Sequence, residues 1–181
     1  MEATGVLLIG GLSRRFGSVK ALAPLGTELL AERAWRILGE AFPHRLAVGK
    51  EADQLGLPFP LLDDGISIRA PIAGVVAGLR AAPTEVAVFL PVDCPLMTAE
   101  ALNSLAANCV DADAAATETG PLPGAYARSA LPVLEQRLEA GRLDLLEALG
   151  ELDSRTIQID PALLVSVNTE RELDRLRALA R

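Results

Sequence analysis

Apolar and polar positions switch between two periods along this chain, and the switches predict its elements. Gly5-Val6-Leu7-Leu8-Ile9 is an apolar run of strand length. Leu30, Ala34, Ile37, Leu38 and Ala41 then recur at helical spacing. Leu46-Ala47-Val48 and Pro60-Leu61-Leu62 read as short strands, and residues 72–79 as a helix burying Val75, Val76 and Leu79. Val86-Ala87-Val88-Phe89-Leu90 has no polar alternation, which predicts a central parallel strand buried on both faces. Thr98 can cap a helix reaching about Ala107. Residues 114–117 and 124–127 read as strands, one of them reversed. Ser129 can cap a helix with Pro132 in its first turn, and an acidic helix with a solvated face is expected over 135–151. Thr169 and Glu172 form a capping box for the last helix. The alternation predicts an α/β fold: one three-layer αβα domain over residues 1–181, with a mainly parallel, mixed, Rossmann-like sheet.

Composition narrows the function. Half of the residues are hydrophobic and only 3% aromatic, so the core is aliphatic and base stacking on a single nucleic-acid strand is disfavoured. The net charge is −7, with no broad basic stripe for duplex or RNA. A polyanionic substrate must then meet a local positive patch, which Arg14, Arg15 and Lys20 supply. Cys94 and Cys109 form no C-x-x-C pair, so neither a disulfide framework nor a zinc site is implied. No signal-peptide pattern and no apolar run of membrane-spanning length is present, which predicts a cytoplasmic protein without membrane association.

The candidate chemistry follows the two strongest strands. After the first comes Gly10-Gly11-Leu12-Ser13-Arg14-Arg15-Phe16-Gly17-Ser18-Val19-Lys20. Glycines let main-chain N–H groups approach phosphate, arginine grips phosphate oxygens as a fork, and lysine adds a point charge. Val19 and Ala21 flank Lys20, which excludes a Walker A loop, and Gly10-Gly11 breaks the dinucleotide spacing. Only Lys20 and Lys50 are lysines among 17 basic residues, so a lysine at the motif position stands out. After the second strand comes Pro91-Val92-Asp93-Cys94-Pro95. Two prolines stiffen this turn and hold Asp93 where a carboxylate can coordinate Mg²⁺ beside substrate phosphates. Cys94 reads as a small packed residue.

The pattern G-G-x-S-x-R-x-G-x-x-K after a first strand resembles the molybdenum cofactor guanylyltransferase (MobA) family of GT-A-like nucleotidyltransferases. Leu8, Gly10, Gly11, Ser13, Arg15, Gly17 and Lys20 match its usual form, with Ile9 and Phe16 as apolar replacements. The resemblance extends through Val92-Asp93-Cys94-Pro95, Asp63-Asp64-Gly65 with Ala70-Pro71-Ile72-Ala73-Gly74, Pro121 to Tyr126, and Val167-Asn168-Thr169. It implies that GTP and molybdopterin are substrates and that GMP is transferred with release of pyrophosphate. Lys20, Arg15 and Asp93 would be catalytic. Backbone at Leu8, Gly10 and Gly11 would flank base and phosphates. Asp64, which aligns best, or its neighbour Asp63 would read the guanine N1–H and N2–H₂ edge, and Gly74 would allow close approach of backbone to the nucleotide. Asp93 and Asn168 would hold Mg²⁺, and cofactor-insertion proteins would be transient partners. Ser166 and Gly49 stand where the family usually has asparagine. Tyr126 and Trp35 read as packing residues and His44 as a surface residue. Two rivals are a cytidylyltransferase, on the same pterin or another phosphorylated acceptor, and a nucleotide-binding homologue without turnover. The Gly10-Gly11 pair favours guanine over cytosine.

Overall fold

The computed structural model describes residues 2–10, 19–50 and 53–179. In chain order the elements are strand β1 (Ala3–Leu8), the two-residue strands β2 (Pro24–Leu25) and β3 (Glu28–Leu29), helix α1 (Leu30–Ala41), β4 (His44–Gly49), β5 (Leu62–Asp63), α2 (Pro71–Ala81) and β6 (Val86–Pro91). Then follow α3 (Ala99–Asn108), β7 (Ala114–Thr117), β8 (Gly120–Ala127), α4 (Leu131–Glu139), α5 (Leu145–Leu149), β9 (Ser154–Ile157) and α6 (Glu170–Leu179).

Seven strands form one sheet in the order β5-β4-β1-β6-β8-β7-β9. β8 is antiparallel to β6 and to β7, so among the described residues it is the one reversed strand and the sheet is mixed but mainly parallel. β6 lies at its centre, bonded to β1 on one side and β8 on the other. Two separate apolar cores explain the unalternated strands. Val86, Val88 and Leu90 pack with Leu38 of α1 and Leu102 of α3 on one face. Ala87 and Phe89 pack with Val75 and Leu79 of α2 and Leu134 of α4 on the other. Each large side chain so buried contributes roughly 1.5–3 kcal/mol. This is the three-layer αβα arrangement the periodicity predicts. Glycines set the helix–sheet distances. A Cβ on Gly5 would stand 2.8 Å from Leu38, and one on Gly78 2.6 Å from Phe89.

Several local expectations shift. Of Pro60-Leu61-Leu62 only Leu62 is in the ladder, with Asp63. The second of the two late strands starts earlier than expected, at Gly120. Ser129 does not cap a helix: its hydroxyl pairs with Asp113 Oδ1, residues 128–130 form a 3₁₀ turn, and α4 begins without a side-chain cap. The acidic helix expected over 135–151 is broken at Gly141 (φ +70°), where a left-handed residue ends a helix cheaply. Its polar face is not wholly solvated either. The Arg137 guanidinium is buried and binds Glu147, Glu151 and the Asp144 carbonyl, which ties α4 to α5. Thr98 does cap α3, accepting from Ala101 N. Thr169 and Glu172 bond reciprocally at α6. No helix among the described residues is long and apolar enough to cross a membrane.

Candidate active site

The site lies at the carboxyl ends of β1, β4 and β6, where an open α/β sheet places its crevice. Connections leaving β1 and β6 lead to α1 and α3 on one face, whereas β4 leads on through β5 to α2 on the other. The crevice this opens is a cavity of about 580 Å³, lined on its floor by Leu8, Gly10, Gly49 and Val92 and on its walls by Lys20, Lys50, Asp64 and Asp93.

The Asp93 turn is anchored from several sides. Val92 N donates to Leu8 O (3.1 Å), Val167 N to Asp93 O (2.8 Å), and Arg33 Nε to Pro95 O (2.8 Å). Held this way, the carboxylate meets Lys20 from the short 3₁₀ turn at 20–22. Lys20 Nζ donates to Asp93 Oδ2 (3.1 Å) and to Asn168 Oδ1 (3.2 Å). Asn168 is itself fixed: its main-chain N–H donates to Glu172 Oε2 (2.7 Å) and its Nδ2 to Ser166 Oγ (3.2 Å). The bond from Asn168 N–H, followed by those from Thr169, holds the Glu172 carboxyl below its ordinary pKa. Ser166, a departure from the family pattern, thus holds one end of the amide while the other faces Lys20.

Asp93 Oδ2 and Asn168 Oδ1 are hard oxygen donors converging on one cationic position, a set that suits Mg²⁺. Among the described residues no three His, Cys, Asp or Glu side chains cluster as a self-sufficient metal cage. A magnesium ion here would therefore take its remaining ligands from phosphate and water, as that ion commonly does.

Beside Asp93, the Cys94 thiol is pushed up to about 12, by burial first and then by the adjacent negative charge. It is a thiol, not a thiolate, at neutral pH. Gly49 is closely surrounded: a Cβ there would lie 3.0 Å from the Ile9 carbonyl oxygen, so the usual asparagine would need its neighbours to give by a few tenths of an ångström. Gly74 lines the cavity, but its missing Cβ would strike Leu8 Cδ2 at 2.8 Å, so its bareness lets α2 lie against β1. Tyr126 is fully buried, edge-on to Phe89 and bonded to Pro121 O. Trp35 stacks on Phe59, and His44 is exposed. Gly11, Ser13 and Arg15, like Arg14, lie outside the described residues.

Two features of this wall were not assigned from sequence. Asp64 is bound by Lys50, and Arg69 of the same loop pairs with Asp53 (2.7 Å). The available signal was the rarity of lysine, which singled out Lys50 without giving it a role.

The model for the MobA-like NTP transferase domain matches residues 5–154, most of the chain. This chain belongs to the MobA-like NTP transferase family. Its place in the family makes it a nucleotidyltransferase, with the motif loop, the Asp93 turn and Asp64 all inside the matched span. A MobA-like relative from Mycobacterium bovis, named a probable molybdenum cofactor guanylyltransferase, is 32% identical and covers 97% of this chain and 89% of its own. Another of the same name from Carboxydothermus hydrogenoformans is 29% identical over 96% of this chain and 94% of its own. The MobA-like fold is shared with the molybdopterin-guanine dinucleotide biosynthesis protein A of Archaeoglobus fulgidus, whose crystal structure has a TM-score of 0.84 at 24% identity, covering 98% of each chain.

Proposed function

We propose that this chain transfers GMP from GTP to the terminal phosphate of molybdopterin and releases pyrophosphate. The observation that carries the reading is the convergence of Lys20, Asp93 and Asn168 at the head of the cleft, in a family of NTP transferases. The names borne by the relatives from M. bovis and C. hydrogenoformans supply the nucleotide and the acceptor.

In this reading a phosphate oxygen of the pterin attacks the α-phosphorus of GTP in line. The new P–O bond forms as the bond to the bridging oxygen breaks, and pyrophosphate leaves with that electron pair. The attacking oxygen is already anionic, so no general base is required, which agrees with a site that presents a lysine, an aspartate and an amide but no histidine. The protein contributes positioning and charge stabilisation. Lys20 pairs with α-phosphate oxygens. Arg15 belongs with the β- and γ-phosphates, backbone at Leu8, Gly10 and Gly11 flanks base and phosphates, and Ser13 belongs to the same nucleotide-binding motif. Asp93 and Asn168 would hold Mg²⁺, which when bound neutralises charge on the transferring phosphoryl group. Asp64 accepts from the guanine edge. Cys94, kept protonated, takes no covalent part.

The test is product identity. Incubation with molybdopterin and GTP labelled at the α-phosphorus should yield a pterin bearing one GMP by mass spectrometry. Label that stays in GTP, or appears only in free GMP, would refute guanylyl transfer.

A further inference from the structure

Lys50 directly follows β4, and its side chain is only 10% exposed. An ammonium carries three N–H donors. Here all three are used: Asp64 Oδ1, the Ile66 carbonyl and the Ile68 carbonyl, the last at 3.0 Å. Those carbonyls belong to the irregular stretch between β5 and α2, which has no ladder to satisfy them. One buried cation therefore sets the path of the loop that carries Asp64. A second pair runs the opposite way. Arg69 donates through both terminal nitrogens to Asp53 (3.0 and 2.7 Å), and Asp53 N donates to Lys50 O (3.0 Å). Lys50 and Asp53 are thus cross-braced to the 64–69 loop by two pairs of reversed polarity.

The bonds on Asp64 are unevenly shared. Lys50 and Ile66 N (3.2 Å) both reach Oδ1, while Asp64 N extends the ladder to Gly49 O (3.2 Å). A carboxylate oxygen has about two acceptor sites, so among the described residues Oδ1 is filled and Oδ2 is the oxygen left for a ligand.

We infer that Lys50 is a positioning residue for nucleobase selection: it locks the Asp64 carboxylate through Oδ1, so that Oδ2 receives the adjacent imino and amino N–H groups of a guanine base. Cytosine offers no such donor pair. The inference rests on the proposed guanylyl transfer and adds a second residue to base reading. Lys50 acts through Asp64, since its three donors go to protein oxygens.

The experiment measures binding of GTP and CTP to the full-length chain for wild type, Lys50→Met, Lys50→Arg, Asp64→Asn and the Lys50→Met/Asp64→Asn double variant, with melting temperature as the control for folding. Lys50→Met should lower the GTP-over-CTP preference about tenfold, the effect of one well-placed hydrogen bond. Lys50→Arg should keep most of that preference. In the Asp64→Asn background the same Lys50→Met change should have little further effect, because coupled residues are not additive. An unchanged preference in Lys50→Met, or an equal loss of GTP and CTP affinity, would overturn the assignment and leave Lys50 as a loop clamp only. If Lys50→Met does not fold, preservation of preference by Lys50→Arg together with its loss in Asp64→Asn supports the assignment, and loss in Lys50→Arg without loss in Asp64→Asn overturns it. A wild type that prefers CTP would overturn the guanine reading itself, and that result is distinct from each of the others.

Discussion

Lys20 Nζ lies 3.1 Å from Asp93 Oδ2, although 73 positions separate the two residues. One stands at the end of the loop after β1, the other on the turn after β6, and those strands are hydrogen-bonded neighbours. The sheet thus brings a cation and an anion to one edge. Asn168 joins them from a third segment, 148 positions from Lys20. A pair so placed has a use at the surface of a cleft that an isolated ion pair would lack, since partly exposed pairs add little stability.

Lys20→Ala should lower kcat/KM for nucleotidyl transfer by about 30- to 1,000-fold, the usual effect of losing one preorganised charge-stabilising donor, ~2–4 kcal/mol. Steady-state kinetics at saturating acceptor would measure it. A loss smaller than threefold would remove Lys20 from the chemistry.

Ser166→Ala frees the Asn168 amide while leaving its oxygen in place. A neutral hydrogen bond is worth roughly 0.5–1.5 kcal/mol, so kcat/KM should fall about two- to tenfold, and Asn168→Ala should cost more. Should Ser166→Ala prove as damaging as Asn168→Ala, the serine would have a contact of its own.

Both cysteines should be silent near neutral pH. Burial raises Cys94 to about 12 and Cys109 to about 11, each helped by a neighbouring aspartate. The folded chain therefore keeps its thiol protons above pH 9, where unfolded thiols lose theirs. Stability should fall as pH rises from about 9 toward 12. A thiol-exchange reagent at pH 7 should label neither residue in the native state and both in denaturant. Cys94→Ala should retain transfer, and its inactivation would instead argue for a covalent role.

Gly78→Ala weighs two opposed effects. Alanine favours a helix over glycine by up to ~1 kcal/mol, but its Cβ would meet Phe89 at 2.6 Å and Val6 at 3.0 Å, both fully buried. Overpacking in such a core costs about 1–3 kcal/mol, so the variant should be less stable by about 1–2 kcal/mol. A melting temperature lower by roughly 2–8 °C is expected. An unchanged or raised value would mean that α2 can lift from the sheet without penalty.

The parts of this architecture visible in sequence are those where one residue's surroundings repeat along the chain. β1 and β6 are buried on both faces, so their apolar runs announced them. Thr98 and the Thr169–Glu172 box marked helix starts by local chemistry. β9 was silent because Ser154, Arg155 and Thr156 are exposed, and β2 and β3 are too short to carry a period. The break between α4 and α5 had a signal in Gly141 that the acidic periodicity masked. At the site, Gly10, Lys20 and the Asp93 turn lie in short segments that were legible one by one. The Lys50–Asp64 clamp was not, because its geometry depends on how β4 and β5 sit side by side. Gly74 was read for close approach to the nucleotide; it lines the cavity, and its absent Cβ also leaves room for Leu8, a packing role that depends on how α2 lies on β1.

The most direct test of the central claim is pyrophosphate release by the purified chain with Mg²⁺ and each of GTP, CTP, ATP and UTP, with and without molybdopterin. Release with GTP that requires molybdopterin, and much weaker release with the other three, is the predicted result. Release with CTP in preference to GTP would contradict the assigned nucleotide, and no release with any nucleotide, despite tight GTP binding, would contradict turnover itself.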